Sequence, residues 1–183
     1  MPALLLTAAL CAGFDHAYGM SYLPVLAPPT PAPVDARTPQ KAAAGMADRV
    51  VIKKAERRLY LMQGDRPMRT YDIALGYQPI GHKAREGDGR TPEGRYTLDW
   101  RSAKSRFHKA LHVSYPSAQD ERRAAHRGEN AGGMILIHGQ PSSRDGATRI
   151  EGDWTLGCIA VSDAEIDEIW KLTRDGTPIE ILP

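Results

Sequence analysis

The stretch Met134-Ile135-Leu136-Ile137-His138-Gly139 decides the class of fold. Four apolar residues run together without polar alternation, as a central strand covered on both faces requires. The run ends in a histidine and a glycine. Further along, Gly157-Cys158-Ile159-Ala160-Val161 places a thiol ahead of a second short apolar strand. Gly157 lets the backbone there approach a substrate closely or take a positive φ. Taken singly, Cys158 reads as a small buried hydrophobe and His138 as a polar cap on a core strand. On two strand ends lying side by side they read as nucleophile and base, the chemistry of a cysteine acyltransferase. An imidazole beside the thiol is expected to raise its reactivity at neutral pH.

Working outward, the flanking residues read mostly as strands. Val50-Val51-Ile52 and Arg58-Leu59-Tyr60-Leu61-Met62 are two, and residues 68–75 return after the turn signal Gln63-Gly64-Asp65. Three short strands joined by turns predict an antiparallel meander. Residues 76–94 form a long polar loop holding five glycines and two prolines, a length that argues for function or disorder. Strands resume at residues 95–100 and 110–115, and residues 116–127 are helix-compatible with Pro116 at the start. Ser162-Asp163-Ala164-Glu165 is a capping box, followed by Ile166, Ile169 and Trp170 on one helical face. Residues 177–182 close as a last strand. The expected fold is mostly β with one or two helices, a sandwich or a partly open barrel.

The chain of 183 residues has room for one domain and an extension, and its formal charge is only +2. No basic block of the kind a nucleic-acid binder shows is present, so nucleic acid is not an expected partner. Residues 1–19 contain an apolar run, Leu4-Leu5-Leu6-Thr7-Ala8-Ala9-Leu10, and a small-x-small site at Ala17-Tyr18-Gly19. They read as a secretory signal or apolar N-terminal segment, although a positively charged leader is missing. Residues 20–47 are a proline- and alanine-rich linker. The folded domain is expected over residues 48–183. Removal or anchoring of the signal with Cys11 leaves Cys158 without a disulfide partner in that domain, as expected of a thiol kept for use. His82, His108, His112 and His126 lack a compact ligand spacing, so neither a metal nor another cofactor is called for.

These motifs resemble the YkuD-type L,D-transpeptidase catalytic domain family. The resemblance rests on His138-Gly139 and Gly157-Cys158-Ile159. It also rests on Gly87-Asp88-Gly89-Arg90-Thr91-Pro92-Glu93-Gly94 and on the opening Lys54-Ala55-Glu56-Arg57-Arg58-Leu59-Tyr60-Leu61. It implies a β-rich domain exported to the periplasm or cell envelope, with peptidoglycan stem peptides as substrate. Its cysteine attacks the carbonyl between the third stem residue, commonly diaminopimelate, and D-alanine, and the acyl group passes to an amine or to water. Carried onto this chain, Cys158 is the nucleophile and His138 the base. The Gly139 carbonyl orients the imidazole, and amides around Gly157 and Cys158 form the oxyanion hole.

Where the commoner motif has histidine, arginine and asparagine, this chain has Leu156, Ala160 and Asp163. The triplet Asp153-Trp154-Thr155 is similar to the YafK-like subgroup, some members of which are linked to release of covalently attached lipoprotein. A wall-attached lipoprotein is therefore a candidate partner. The departures point away from crosslinking and toward hydrolysis or release. His112, Trp154, Thr155 and Arg90 are candidates for substrate binding, and Lys83 and Arg95 are candidates to meet stem carboxylates. The remaining alternative is a wall-binding module with an idle thiol, which would need neither His138 nor Cys158.

Overall fold

The computed structural model describes residues 45–142 and 148–183, all within one compact unit, Arg37–Pro183. The apolar start, Cys11 and nearly all of the proline-rich segment lie outside the described residues. The meander forms as β1 (Arg49–Lys53), β2 (Arg58–Gln63) and β3 (Arg66–Asp72), paired antiparallel. Its period-two pattern sends Val50, Ile52, Leu59 and Leu61 inward, each fully buried, and sends arginines and lysines out. Burial of each such side chain contributes about 1.5–3 kcal/mol before the cost of chain ordering.

Strand β4 (Gly94–Ser105) pairs antiparallel with β5 (His108–Val113). Helix α1 (Ala118–Ala125) follows. Its cap is Ser117, whose hydroxyl accepts from the Asp120 amide while the Asp120 carboxylate accepts from the Ser117 amide. Pro116 thus precedes the cap rather than opening the helix. Strand β6 (Leu136–His138) is shorter than the apolar run, because Met134 adopts a left-handed φ of 54° that ends the extended segment. Strand β7 (Ile159–Ala160) follows, then α2 (Asp163–Leu172), whose Ser162–Glu165 capping box forms and whose Ile166 and Ile169 are buried. Strand β8 (Thr177–Leu182) inserts between β1, to which it is parallel, and β4, to which it is antiparallel.

The strands form one sheet in the order β3-β2-β1-β8-β4-β5-β6-β7. Its two ends meet. Just past β3, the Ala74 amide donates to the Ala160 carbonyl at 2.9 Å and the Ala160 amide donates to the Ala74 carbonyl at 2.8 Å, with Gly76 and Thr155 bridged beyond. Of the two expected architectures, the sheet is therefore the partly open barrel, curled on itself around a core of Leu98, Leu111, Ile137, Ile159 and Ile179. The seam pairs backbone groups that would otherwise leave β7 an open edge.

Candidate functional site

The site lies where β6 and β7 run parallel. Ile137 opposes Ile159 and His138 opposes Ala160. Opposed residues leave a sheet on the same face, and so do residues two apart on one strand. Cys158 immediately precedes β7, two residues before Ala160, and the same register continued by one residue puts it on the face of His138. Ordinary sheet spacing puts their Cα atoms about 8 Å apart, a gap that an imidazole and a thiol together span.

His138 is buried. Its Nδ1 lies 2.7 Å from the Gly139 carbonyl oxygen. A carbonyl only accepts, so Nδ1 carries the proton and Nε2 keeps its lone pair. Phe107 lies over the ring at 4.3 Å between centroids, and Trp154 meets it edge-on at 5.8 Å. Burial lowers the imidazole pKa below its ordinary value, and the bond to Gly139 only partly offsets this. The resting ring is neutral at pH 7.

Cys158 is partly buried. Its sulfur lies 3.5 Å from the Met134 carbonyl oxygen, and the Leu136 amide also faces it. Burial pushes the thiol pKa up, opposed by that amide and by the Lys83 ammonium. Burial thus acts against the activation expected of a neighbouring imidazole. The pair is thiol and imidazole, not thiolate and imidazolium. A neutral base with a free lone pair can take the thiol proton as the sulfur attacks a carbonyl.

The triplet before the cysteine anchors this arrangement. The Asp153 carboxylate accepts from the Leu75 amide at 2.9 Å and pairs with Arg57 at 2.9 Å. Trp154 packs against the imidazole, its indole nitrogen buried without an acceptor among the described residues. The Thr155 hydroxyl donates to the Cys158 carbonyl at 2.7 Å and accepts from the Gly157 amide at 3.1 Å. Thr155, expected to meet substrate, is a buried brace for the turn, its hydroxyl engaged by backbone. The Gly157 amide, expected in the oxyanion hole, is occupied by that hydroxyl, which leaves the Cys158 amide as the candidate donor. Gly157 serves through its backbone. Its φ is 130°, and a Cβ would come within 2.6 Å of the Arg90 carbonyl oxygen.

The other expected site residues fall in several places. Arg90 brings its carbonyl to Gly157, while its guanidinium lies against Gly81. Lys83 is buried and paired with Asp88 at 2.9 Å, and Arg95 forms an exposed ion pair with Glu180 at 3.0 Å. His112 opposes Leu136 in register and so joins the face of His138, with Asp99 2.6 Å from its Nδ1. Phe107 was not singled out by the sequence. Nothing local marks it, because it meets His138 only through the pairing of β5 with β6. Among the described residues no group of histidine, cysteine and carboxylate side chains is placed to hold a metal ion.

The sequence profile of the YkuD L,D-transpeptidase catalytic domain matches residues 47–181. The chain belongs to this L,D-transpeptidase family. It is 32% identical over 128 residues to the Escherichia coli K12 protein named as L,D-transpeptidase YafK, covering 67% of this chain and 45% of that protein. The helical cell shape determining protein Pgp2 from Campylobacter jejuni is similar in structure, with a TM-score of 0.57 and 25% identity over 72% of this chain and 46% of Pgp2. Bd1075 of Bdellovibrio bacteriovorus shares the fold at a TM-score of 0.51 and 23% identity, over 73% of this chain and 47% of Bd1075. The chain thus spans about half the length of these relatives. Within the L,D-transpeptidase domain, the matched residues include the strand that carries His138 and the segment that carries Cys158.

Proposed function

We propose that this domain acts on peptidoglycan stem peptides through a Cys158 acyl-enzyme. The observation that carries the reading is the His138 imidazole, held by Gly139 with Nε2 unprotonated, on the same sheet face as a thiol seated in backbone. Family membership supports the substrate class. In the proposed reaction the sulfur attacks the carbonyl of the third stem residue while its proton passes to Nε2. The C–S bond forms, the C–N bond to D-alanine breaks, and His138 returns the proton to the departing amine. Water or an amine then displaces the sulfur. One oxyanion donor, the Cys158 amide, is worth on the order of 3 kcal/mol to the tetrahedral intermediate.

Water is the acceptor we favour. Leu156 is 77% exposed and Ala160 is buried at the seam, so these two positions offer no polar side chain beside the thiol to hold a second substrate's amine. The same argument admits release of a wall-attached lipoprotein. Such a substrate lies outside the cytoplasm, so the domain works in the periplasm or cell envelope, and the apolar residues 4–10 fit an export signal. Pgp2 is named for cell shape, and trimming of stems is a route by which this protein would act on the same property.

Mass spectrometry of disaccharide-tetrapeptides incubated with the protein tests the reading. We expect loss of D-alanine, little crosslinked dimer, and no reaction with Cys158→Ala. Turnover by Cys158→Ala would overturn the nucleophile, and abundant dimers would overturn the choice of water.

A further inference from the structure

The pairing of β4 with β5 slips beside the site. Leu98 opposes Val113 and Arg101 opposes Leu111, so Asp99 and Trp100 together face the single residue His112. A bulge of this kind re-aims side chains. Here Asp99 accepts from His112 Nδ1 at 2.6 Å, and the Trp100 indole lies parallel to the imidazole, 4.7 Å between centroids and 10° between planes. The imidazole is largely covered, whereas Trp100 is 38% exposed. The result is a flat apolar ring fixed at the surface beside a half-exposed carboxylate.

This platform is in line with the thiol. His112 opposes Leu136, and the Leu136 amide faces the Cys158 sulfur, so the three lie in a row from β5 across β6 to the residue before β7. Two strand spacings put His112 and Cys158 about 10 Å apart between Cα atoms. An extended peptide covers that distance in about three residues. If the carbonyl at Cys158 is that of the third stem residue, a stem running toward β5 brings its root, where it joins its sugar, to the platform.

We propose that Trp100, held by His112 and Asp99, is the subsite for the N-acetylated hexopyranose that bears the stem peptide. The indole stacks on the apolar C–H face of the sugar, and Asp99 accepts hydrogen bonds from its hydroxyl or acetamido N–H groups. The assignment rests on the stem-peptide reading above.

The test is the ratio of kcat/KM for disaccharide-tetrapeptide to that for free tetrapeptide. A stacked aromatic contact predicts a wild-type preference on the order of 5- to 10-fold for the sugar-bearing substrate. Trp100→Ala should bring the ratio close to one, and Trp100→Phe, which keeps a stacking face, should restore most of it. A wild-type ratio of one, or an equal loss on both substrates in Trp100→Ala, would overturn the subsite. Turnover of neither substrate by the wild-type protein would instead overturn the stem-peptide reading. In that case saturation-transfer NMR with the disaccharide alone decides the platform. Saturable binding that Trp100→Ala removes would support it, and absence of binding to the wild-type protein would overturn it.

Discussion

The Cys158 thiol faces the Met134 carbonyl and the Leu136 amide, and its burial sets its behaviour. It titrates above the ordinary range because burial disfavours the thiolate. Alkylation by iodoacetamide should therefore be slow at pH 7 and rise with a midpoint above about 8.5, the usual thiol value. On the proposed mechanism, in which the base acts only during attack, His138→Ala should leave that midpoint nearly in place yet lower turnover by about 100-fold or more. The acid limb of kcat/KM should fall below about pH 6.5, because the buried imidazole protonates later than a free one. A thiol midpoint below 7 would mean that an ion pair, not a neutral dyad, is the resting state.

Among the elements, residues 76–94 answer the question their length raised. The segment is held by charge inside the protein. Burial alone would raise the Asp88 carboxyl, but the Lys83 ammonium and the amides of Ala84, Arg90 and Arg85 outweigh it and hold the pKa at about 2. The unfolded value is near 3.8. A depressed carboxyl stabilises the fold above the unfolded value, and that contribution is lost as pH falls from 3.8 toward 2. Asp88→Asn should thus cost about 2 kcal/mol at pH 7 and much less at pH 2.5, read from urea midpoints. An equal difference at both pH values would assign the loss to packing. The segment reaches the candidate site, because it carries the Arg90 carbonyl to Gly157 and the Gly89 carbonyl to Gly76. A Cβ on Gly76 would collide there.

Across the fold, one side chain ties the meander to that segment. Lys54, at the end of β1, is buried, and its Nζ donates to the carbonyls of Gly81 at 2.7 Å and Thr91 at 3.1 Å and to Glu93 at 2.7 Å. Burial lowers its pKa, against the pull of Glu93. Lys54→Met leaves a carboxylate and two carbonyls without their donor, and should lower stability by about 3–5 kcal/mol in urea unfolding. Adding Glu93→Leu should recover part of that loss, because the uncompensated charge is gone. Identical midpoints for the single and double variants would show that the carbonyls alone account for the effect.

Much of this was legible in local pattern. Period-two alternation marks β1, β2 and β8 because one face of each is buried and the other wet. The Ser162–Glu165 box marks α2 because its side chains satisfy the amides that a helix start leaves unpaired. The β6 run names a central strand because no polar residue interrupts it. The candidate pair itself was visible as residue types placed at strand ends. Three features were decided only when the chain closed. Strand β8 lies between β1 and β4, β6 and β7 are parallel in a register that puts Cys158 on the face of His138, and a bulge sets Asp99 and Trp100 against His112. Ladder hydrogen bonds are the same whatever the side chains, so a strand's own residues say which face is buried but not which neighbour it takes. The same holds for Thr155 and Lys83. Their polar groups read as available in the sequence, and they are spent inside the fold because buried donors and acceptors must be paired.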